Sequence, residues 1–165
     1  MKINKLLWLL LITVMMNTVK TQAQKAWTGN LLTKNLKDFA SGNYTEVQGT
    51  ITIEDYEGVD LTVLEGLQKC SGNITISKNQ KLESLKGLEN LLEIGGKIVI
   101  KKNPELYRFC SLKKQLLEEG IKGEEISKDI IEKVDIERNG YNPSFMNLQN
   151  KDCYSHKIPD FCFSC

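Results

Sequence analysis

The sequence has no excess of either charge, a single histidine, no cysteine before Cys70 and no long apolar run beyond its first residues. Each absence removes a class of function. With 22 Lys+Arg against 21 Asp+Glu, the chain has no basic footprint for nucleic acid and no polybasic patch for a membrane surface. No Gly-rich phosphate loop, His-Glu-x-x-His or Gly-x-Ser-x-Gly pattern occurs. His156 has no nucleophile motif beside it, so a Cys–His catalytic pair is unsupported. The adjacent acids Glu118/Glu119 and Glu124/Glu125 lie in a charged stretch and read as a solvated face. The expectation is a chain without catalytic residues and without a cofactor.

The apolar run that is present lies at the start. Lys2 and Lys5 precede an apolar stretch from Leu6 to Met16, too short to span a bilayer. Thr21-Gln22-Ala23 offers a small-residue cleavage context, so residues 1–23 read as a secretory signal peptide. The lack of an early cysteine excludes a lipoprotein anchor. The remaining chain, about 140 residues, has a single-domain length. No transmembrane segment is expected there, and the protein is expected to be secreted or held at the cell surface.

A repeat dominates the centre. Three times a glycine opens a five-residue strand: Gly49 to Ile53, Gly72 to Ile76 and Gly96 to Ile100. From the second to the third the offset is 24, as in Leu64 to Leu88, Ile74 to Ile98 and Asn79 to Asn103. The first strand stands 23 before the second, and Val59 falls opposite Leu82. Periods in the twenties are the signature of a solenoid. Strand side chains alternate, so Ile51/Ile53, Ile74/Ile76 and Ile98/Ile100 share an inner face. Leu82, Leu85, Leu88, Leu91 and Ile94 recur every third residue, a spacing that drifts around a helix but suits a chain winding about a core. Leu61, Leu64, Leu67 and Cys70 repeat it one turn earlier, which makes Cys70 a small buried hydrophobe. The glycines serve a left-handed turn or a close backbone approach. Asn79 and Asn103 follow their strands in register and suit a ladder of turn hydrogen bonds better than a ligand site.

The flanks read as caps. Leu31, Leu32, Leu36 and Phe39 predict a helix from Leu31 to Ala40, stopped at Ser41-Gly42-Asn43. Ser111 to Glu119 is rich in helix formers and ends at Gly120. Val134 to Glu137 alternates like a last strand, and Asn139-Gly140 and Asn142-Pro143 are turn signals.

Two places carry candidate sites. Cys110 and Cys153 bracket the last strand and its preceding excursion, so a disulfide there would staple the C-terminal end. The rival is a metal site, because Cys153-x2-His156-x5-Cys162-x2-Cys165 has zinc-like spacing. Cys162 and Cys165 pair with each other or remain reactive. The second place is the outward face of the sheet: Thr50, Thr52, Glu54, Asn73, Thr75, Ser77, Lys97, Val99 and Lys101, flanked by Tyr56 and Tyr107. A rigid polar array is how repeat proteins present binding surfaces. A merely solvated face is the alternative. Asn43-Tyr-Thr45 and Asn73-Ile-Thr75 match the glycosylation sequon, and a glycan at Asn73 would crowd this sheet.

The repeat from Leu82 to Leu106, with its Gly-Gly-Lys-Ile-Val-Ile centre and Asn-Pro end, resembles the receptor L domain of insulin and EGF receptor ectodomains. It also resembles the secreted and surface versions of Bacteroidetes-type bacteria, where a cysteine segment follows an Asn-Pro strand end as Tyr141-Asn-Pro-Ser144 and Cys153 do here. The resemblance covers Tyr44 to Cys153. It implies a β-solenoid, a short right-handed single-stranded β-helix with leucine-rich-like repeats and helical end caps, over residues 25–153, with 154–165 as a cysteine-containing tail. It implies no catalytic residues. The function expected is a recognition or adhesion module for an extracellular protein or glycan, against a structural surface component without a ligand or a metal- or thiol-active tail.

Overall fold

Short strands paired in parallel organise the chain. The computed structural model describes residues 25–112, 134–144, 147–148 and 153–155. Among these run β1 (Ala26–Thr28), β2 (Leu31–Leu32), β3 (Glu46–Gln48), β4 (Ile51–Glu54), β5 (Lys69–Cys70), β6 (Ile74–Ser77), β7 (Glu93–Ile94), β8 (Ile98–Lys101) and β9 (Val134–Glu137). A helix, α1 (Leu36–Ser41), stands between β2 and β3.

Successive strands alternate between two sheets. One has the order β1-β3-β5-β7, the other β2-β4-β6-β8-β9, and every pairing is parallel. This corrects the expected single-stranded β-helix with helical end caps. Each repeat supplies two strands to two separate sheets, and the fold is a small α/β-type arrangement. The missed sheet has a physical reason. β5 and β7 are two residues long, too short for alternation to show.

The N-terminal helix is also shorter than expected. Leu31 and Leu32 form β2, pairing with Ile51 and Thr52. A 3-10 turn follows at Thr33–Asn35, and the α-helix begins at Leu36. The backbone of Leu31 donates to Thr50 O at 2.8 Å, and the Thr33 hydroxyl both donates to Glu54 O and accepts from Glu54 N. Those inter-strand bonds compete with the first helical turn and win. The stop falls where the sequence places it: Gly42 caps α1, and Asn43 takes the left-handed conformation at φ 52. The helix expected over Ser111 to Glu119 lies outside the described residues from 113 onward, and Cys110–Leu112 is a 3-10 turn.

The longer sheet has the register that the isoleucines imply. Ile51 pairs with Ile74 and Ile74 with Ile98, while Ile53, Ile76 and Ile100 form a second column. The strand expected at 134–137 is β9, with Val134 beside Ile98 and Ile136 beside Ile100. Both isoleucine columns are buried, together with Leu61, Leu64, Leu67, Leu82, Leu85, Leu88 and Leu91. Each such side chain contributes roughly 1.5–3 kcal/mol on burial. Cys70 lies in the same core at 0% exposure, as its slot implied. Val59 does not: it is 56% exposed, and only its backbone joins the stack, its carbonyl receiving the N–H groups of Glu83 and Ser84.

The strand-opening glycines answer to close approach, not to positive φ. A Cβ on Gly72 would stand 2.6 Å from Gly49 O, in the way of the bond from Gly72 N to that oxygen. Four left-handed positions of the repeats fall elsewhere, on Asp55, Lys78, Lys102 and Arg138, with φ between 52 and 59. Each directly follows one of β4, β6, β8 and β9. An L side chain there costs about 1–2 kcal/mol, so something must hold the turn.

What holds it is an asparagine ladder. Asn79 Oδ1 accepts from Tyr56 N at 2.9 Å. Asn103 Oδ1 accepts from both Asn79 N and Asn79 Nδ2 at 3.0 Å. Asn139 Oδ1 accepts from Asn103 N at 3.1 Å and from Asn103 Nδ2 at 2.8 Å. The Nδ2 groups of Asn79, Asn103 and Asn139 also donate to Ile53 O, Ile76 O and Ile100 O. The ladder therefore runs on to Asn139, and Asn142 Oδ1 receives its last N–H at 3.0 Å.

Cys110 and Cys153 form a disulfide with Cα atoms 4.9 Å apart. Cys153 is therefore not a thiolate, and the zinc-like set loses its first ligand. His156, Cys162 and Cys165 lie outside the described residues, as does the segment read as a signal peptide.

The ladder and the bridge can each be tested through stability. Asn103→Ala leaves Asn79 N without its partner and takes one hydrogen bond each from Asn79 Nδ2, Ile76 O and Asn139 Oδ1, and should cost about 2–4 kcal/mol. Asn142→Ala, at the exposed end, should cost about 1 kcal/mol or less. Urea unfolding of both variants checks the contrast, and equal losses would remove the ladder from its central role. Replacing both bridge cysteines by serine should cost about 4 kcal/mol in the chain-entropy account, given the separation of 43 residues. Thermal unfolding with and without reductant measures it.

Candidate functional site

The outer face of the five-stranded sheet is built by alternation. With the isoleucines turned inward, Thr52, Thr75 and Val99 face outward in one register, with Leu32 before them and Asp135 after. All of Thr52, Thr75 and Val99 are half-buried by their neighbours, and Leu32 is exposed. Among the described residues the hydroxyls of Thr52 and Thr75 make no side-chain hydrogen bond. The result is a strip of short side chains with unspent hydroxyls.

The next column, Glu54–Ser77–Lys101–Glu137, is spent on itself. Ser77 Oγ donates to Glu54 Oε1 at 2.6 Å, and Lys78 Nζ stands 3.5 Å from the same oxygen. Lys101 Nζ bridges Asp135 at 2.6 Å and Glu137 at 3.3 Å. Ser77, expected as a presented residue, is therefore buried. The Ser77 hydrogen bond, with help from the Lys78 charge, holds the Glu54 carboxyl below the usual carboxylate range. The Asp135 hydrogen bond, with Glu137, raises the Lys101 ammonium above its ordinary value. Glu54 and Lys101 are thus charged at neutral pH and committed to partners within the sheet.

Thr50, Asn73 and Lys97 sit where the strands begin. Asn73 Oδ1 accepts from Lys97 N at 2.8 Å, and Asn30 Oδ1 accepts from Thr50 N at 3.0 Å. The Asn73 amide is thus a structural clip as well as a sequon residue. Two repeats earlier Asn30 has the matching role, and nothing in its surroundings in sequence marks it. Tyr56 and Tyr107 are both half-buried, and burial pushes the Tyr56 phenol above its ordinary pKa. Of the nine face residues, the structure brings Thr52, Thr75 and Val99 together as a free strip. It turns Glu54, Ser77 and Lys101 into clamps along one side.

A second concavity escaped the sequence reading. A groove of about 890 Å³ runs between the end of α1, the segment before β3 and the turns at 62–68 and 90. Tyr44 stands in its wall, edge-on to Trp27 at 5.3 Å, stacked on Phe39 at 5.8 Å and covered by Lys25 Nζ at 4.3 Å. Its lining comes from four separated stretches of chain, so no local motif could have announced it.

Cys70 is no reactive centre. Burial raises its thiol pKa, and its Sγ lies 3.5 Å from Gly49 O. Among the described residues no group of three or more His, Cys, Asp or Glu side chains converges as a metal site would require. No described helix is long and apolar enough to cross a membrane. The disulfide fits an oxidising compartment.

No family model matches the chain, and no curated protein matches it. The resemblance to receptor L domains thus rests on the repeat residues alone.

The Glu54 clamp makes a pH prediction. A carboxyl with a lowered folded-state pKa stabilises above its unfolded pKa, and the benefit is lost as pH falls through the folded value. Ser77→Ala removes the largest cause of the shift, so the Glu54 pKa should move up toward the ordinary carboxylate range. Side-chain carbon shifts in an NMR titration read this directly, and an unmoved Glu54 would assign the shift to another group.

Proposed function

We propose that this chain is a non-catalytic extracellular recognition module that captures a protein or glycan ligand on the outer face of its five-stranded sheet. The observation that carries the reading is the strip Leu32–Thr52–Thr75–Val99, laid out in register with the hydroxyls of Thr52 and Thr75 unspent. Beside it Glu54 is paired with Lys78, and Lys101 bridges Asp135 and Glu137. Short side chains carried on paired strands lose little conformational entropy on binding, and the residue types suit apolar contact with hydrogen bonding at the centre of the strip. The disulfide and the expected signal peptide support an extracellular setting.

The test is capture from the protein's native surroundings, with a glycan array beside it. The triple variant Thr52→Arg, Thr75→Arg, Val99→Arg should lower capture of the partner found with the wild-type chain at least tenfold, while its thermal unfolding stays cooperative. Undiminished capture by a folded triple variant would take the function off this face.

A further inference from the structure

The groove beside Tyr44 is distinct from the sheet strip, and its chemistry points to a ligand. Its volume, about 890 Å³, lies within the ordinary range for small-molecule sites. The polar side chains in its lining are chiefly amides and hydroxyls, with one lysine and one glutamate. Lys25 is already committed: its Nζ donates to Gly42 O at 2.9 Å and lies over the Tyr44 ring. It keeps two N–H donors, and Glu65 in the same lining offsets its charge.

The backbone beneath the groove is spent as well. Thr45 N donates to Lys25 O, Gln68 N to Thr45 O and Leu92 N to Gln68 O, at 2.9, 2.7 and 2.7 Å. A peptide laid along this floor would find those groups already used, which disfavours strand addition. Side-chain groups remain. Asn90 donates its Nδ2 to Glu65 O at 2.8 Å and keeps its Oδ1 as an acceptor, and Gln68 keeps a whole amide. Thr45 Oγ1 is buried without a partner, alone in this among the buried side-chain nitrogens and oxygens of the described residues. An unpaired buried hydroxyl is costly, and Thr45 is one of the residues that line the groove.

We infer that this groove is a binding site for a neutral oligosaccharide. Side-chain amides that both donate and accept match vicinal hydroxyls, the balanced charge favours an uncharged ligand, and the apolar wall at Val63 and Ala40 suits the C–H face of a sugar ring. The site is separate from the strip assigned to the sheet face, so either assignment stands or falls without the other.

Isothermal titration of the secreted chain with neutral hexasaccharides of glucose, mannose, galactose and N-acetylglucosamine units tests it. At least one should bind saturably, and Gln68→Ala with Asn90→Ala should weaken it at least tenfold without lowering the unfolding midpoint by more than a few degrees. The sheet-face triple variant should bind the same sugar as the wild type does. The assignment is overturned if no hexasaccharide binds, if binding survives the groove variant, or if the sheet-face variant alone abolishes it. Gln68→Glu with Asn90→Asp supplies a second check: it keeps the shape, removes the amide donors, and should weaken binding comparably.

Discussion

The turn after each long strand is the constraint on which the rest of this structure depends. Four times the chain leaves a strand through a left-handed residue that is not glycine: Asp55, Lys78, Lys102 and Arg138. The next residue then presents a backbone N–H toward the interior, where water cannot serve it. The amide of the following repeat does so, and its own Nδ2 reaches the last inward isoleucine carbonyl of the repeat before. One side chain type thus satisfies a donor and an acceptor in different repeats. The isoleucine columns supply most of the burial, but burial alone sets no register along the stack. The amides do, because an asparagine displaced by one residue leaves both partners empty.

The same geometry separates what was legible in the sequence from what was not. Ile51/Ile53, Ile74/Ile76 and Ile98/Ile100 alternate with polar residues over enough length to give strand, face and register, and Val134–Glu137 joins them on the same grounds. Asn79 and Asn103 were readable as a ladder because their spacing equals the repeat. Asn139 was not, since its distance from Asn103 is 36 residues and it stood in an Asn-Gly pair that reads as a simple turn. The second sheet was hidden because Lys69-Cys70 and Glu93-Ile94 are too brief to show a period. Leu31 and Leu32 fitted a helical spacing with Leu36 and Phe39, and strand pairing with Ile51 and Thr52 overrode it. The single-stranded architecture drawn from the family resemblance failed for these reasons together.

The candidate surfaces divide similarly. Alternation places Thr52, Thr75 and Val99 outward from sequence alone. It cannot say that Ser77 will vanish beneath Glu54, because that depends on how Glu54 of one strand meets Ser77 and Lys78 of the next. The groove at Tyr44 is further from view. Lys25, Tyr44, Gln68 and Asn90 meet only because the shorter sheet stacks segments about 20 residues apart, as its pairing Glu46↔Lys69↔Glu93 shows. Two surfaces with different chemistry on one small rigid body follow from giving each repeat two strands instead of one.

The ladder also makes the molecule indifferent to how much chain lies between its amides. Successive partners are separated by 23 residues from Tyr56 to Asn79, 24 from Asn79 to Asn103, and 36 from Asn103 to Asn139, yet the hydrogen bonds are the same kind throughout. The stack therefore counts asparagines, not residues. Segments of new length can be spliced between two rungs without disturbing either, so a lineage can vary its connecting loops freely while inheriting the column unchanged. For protein engineering, a foreign loop grafted between Asn103 and Asn139 has room between Leu112 and Val134, leaving the buried Leu106 and Phe109, the Cys110 bridge and β9 in place.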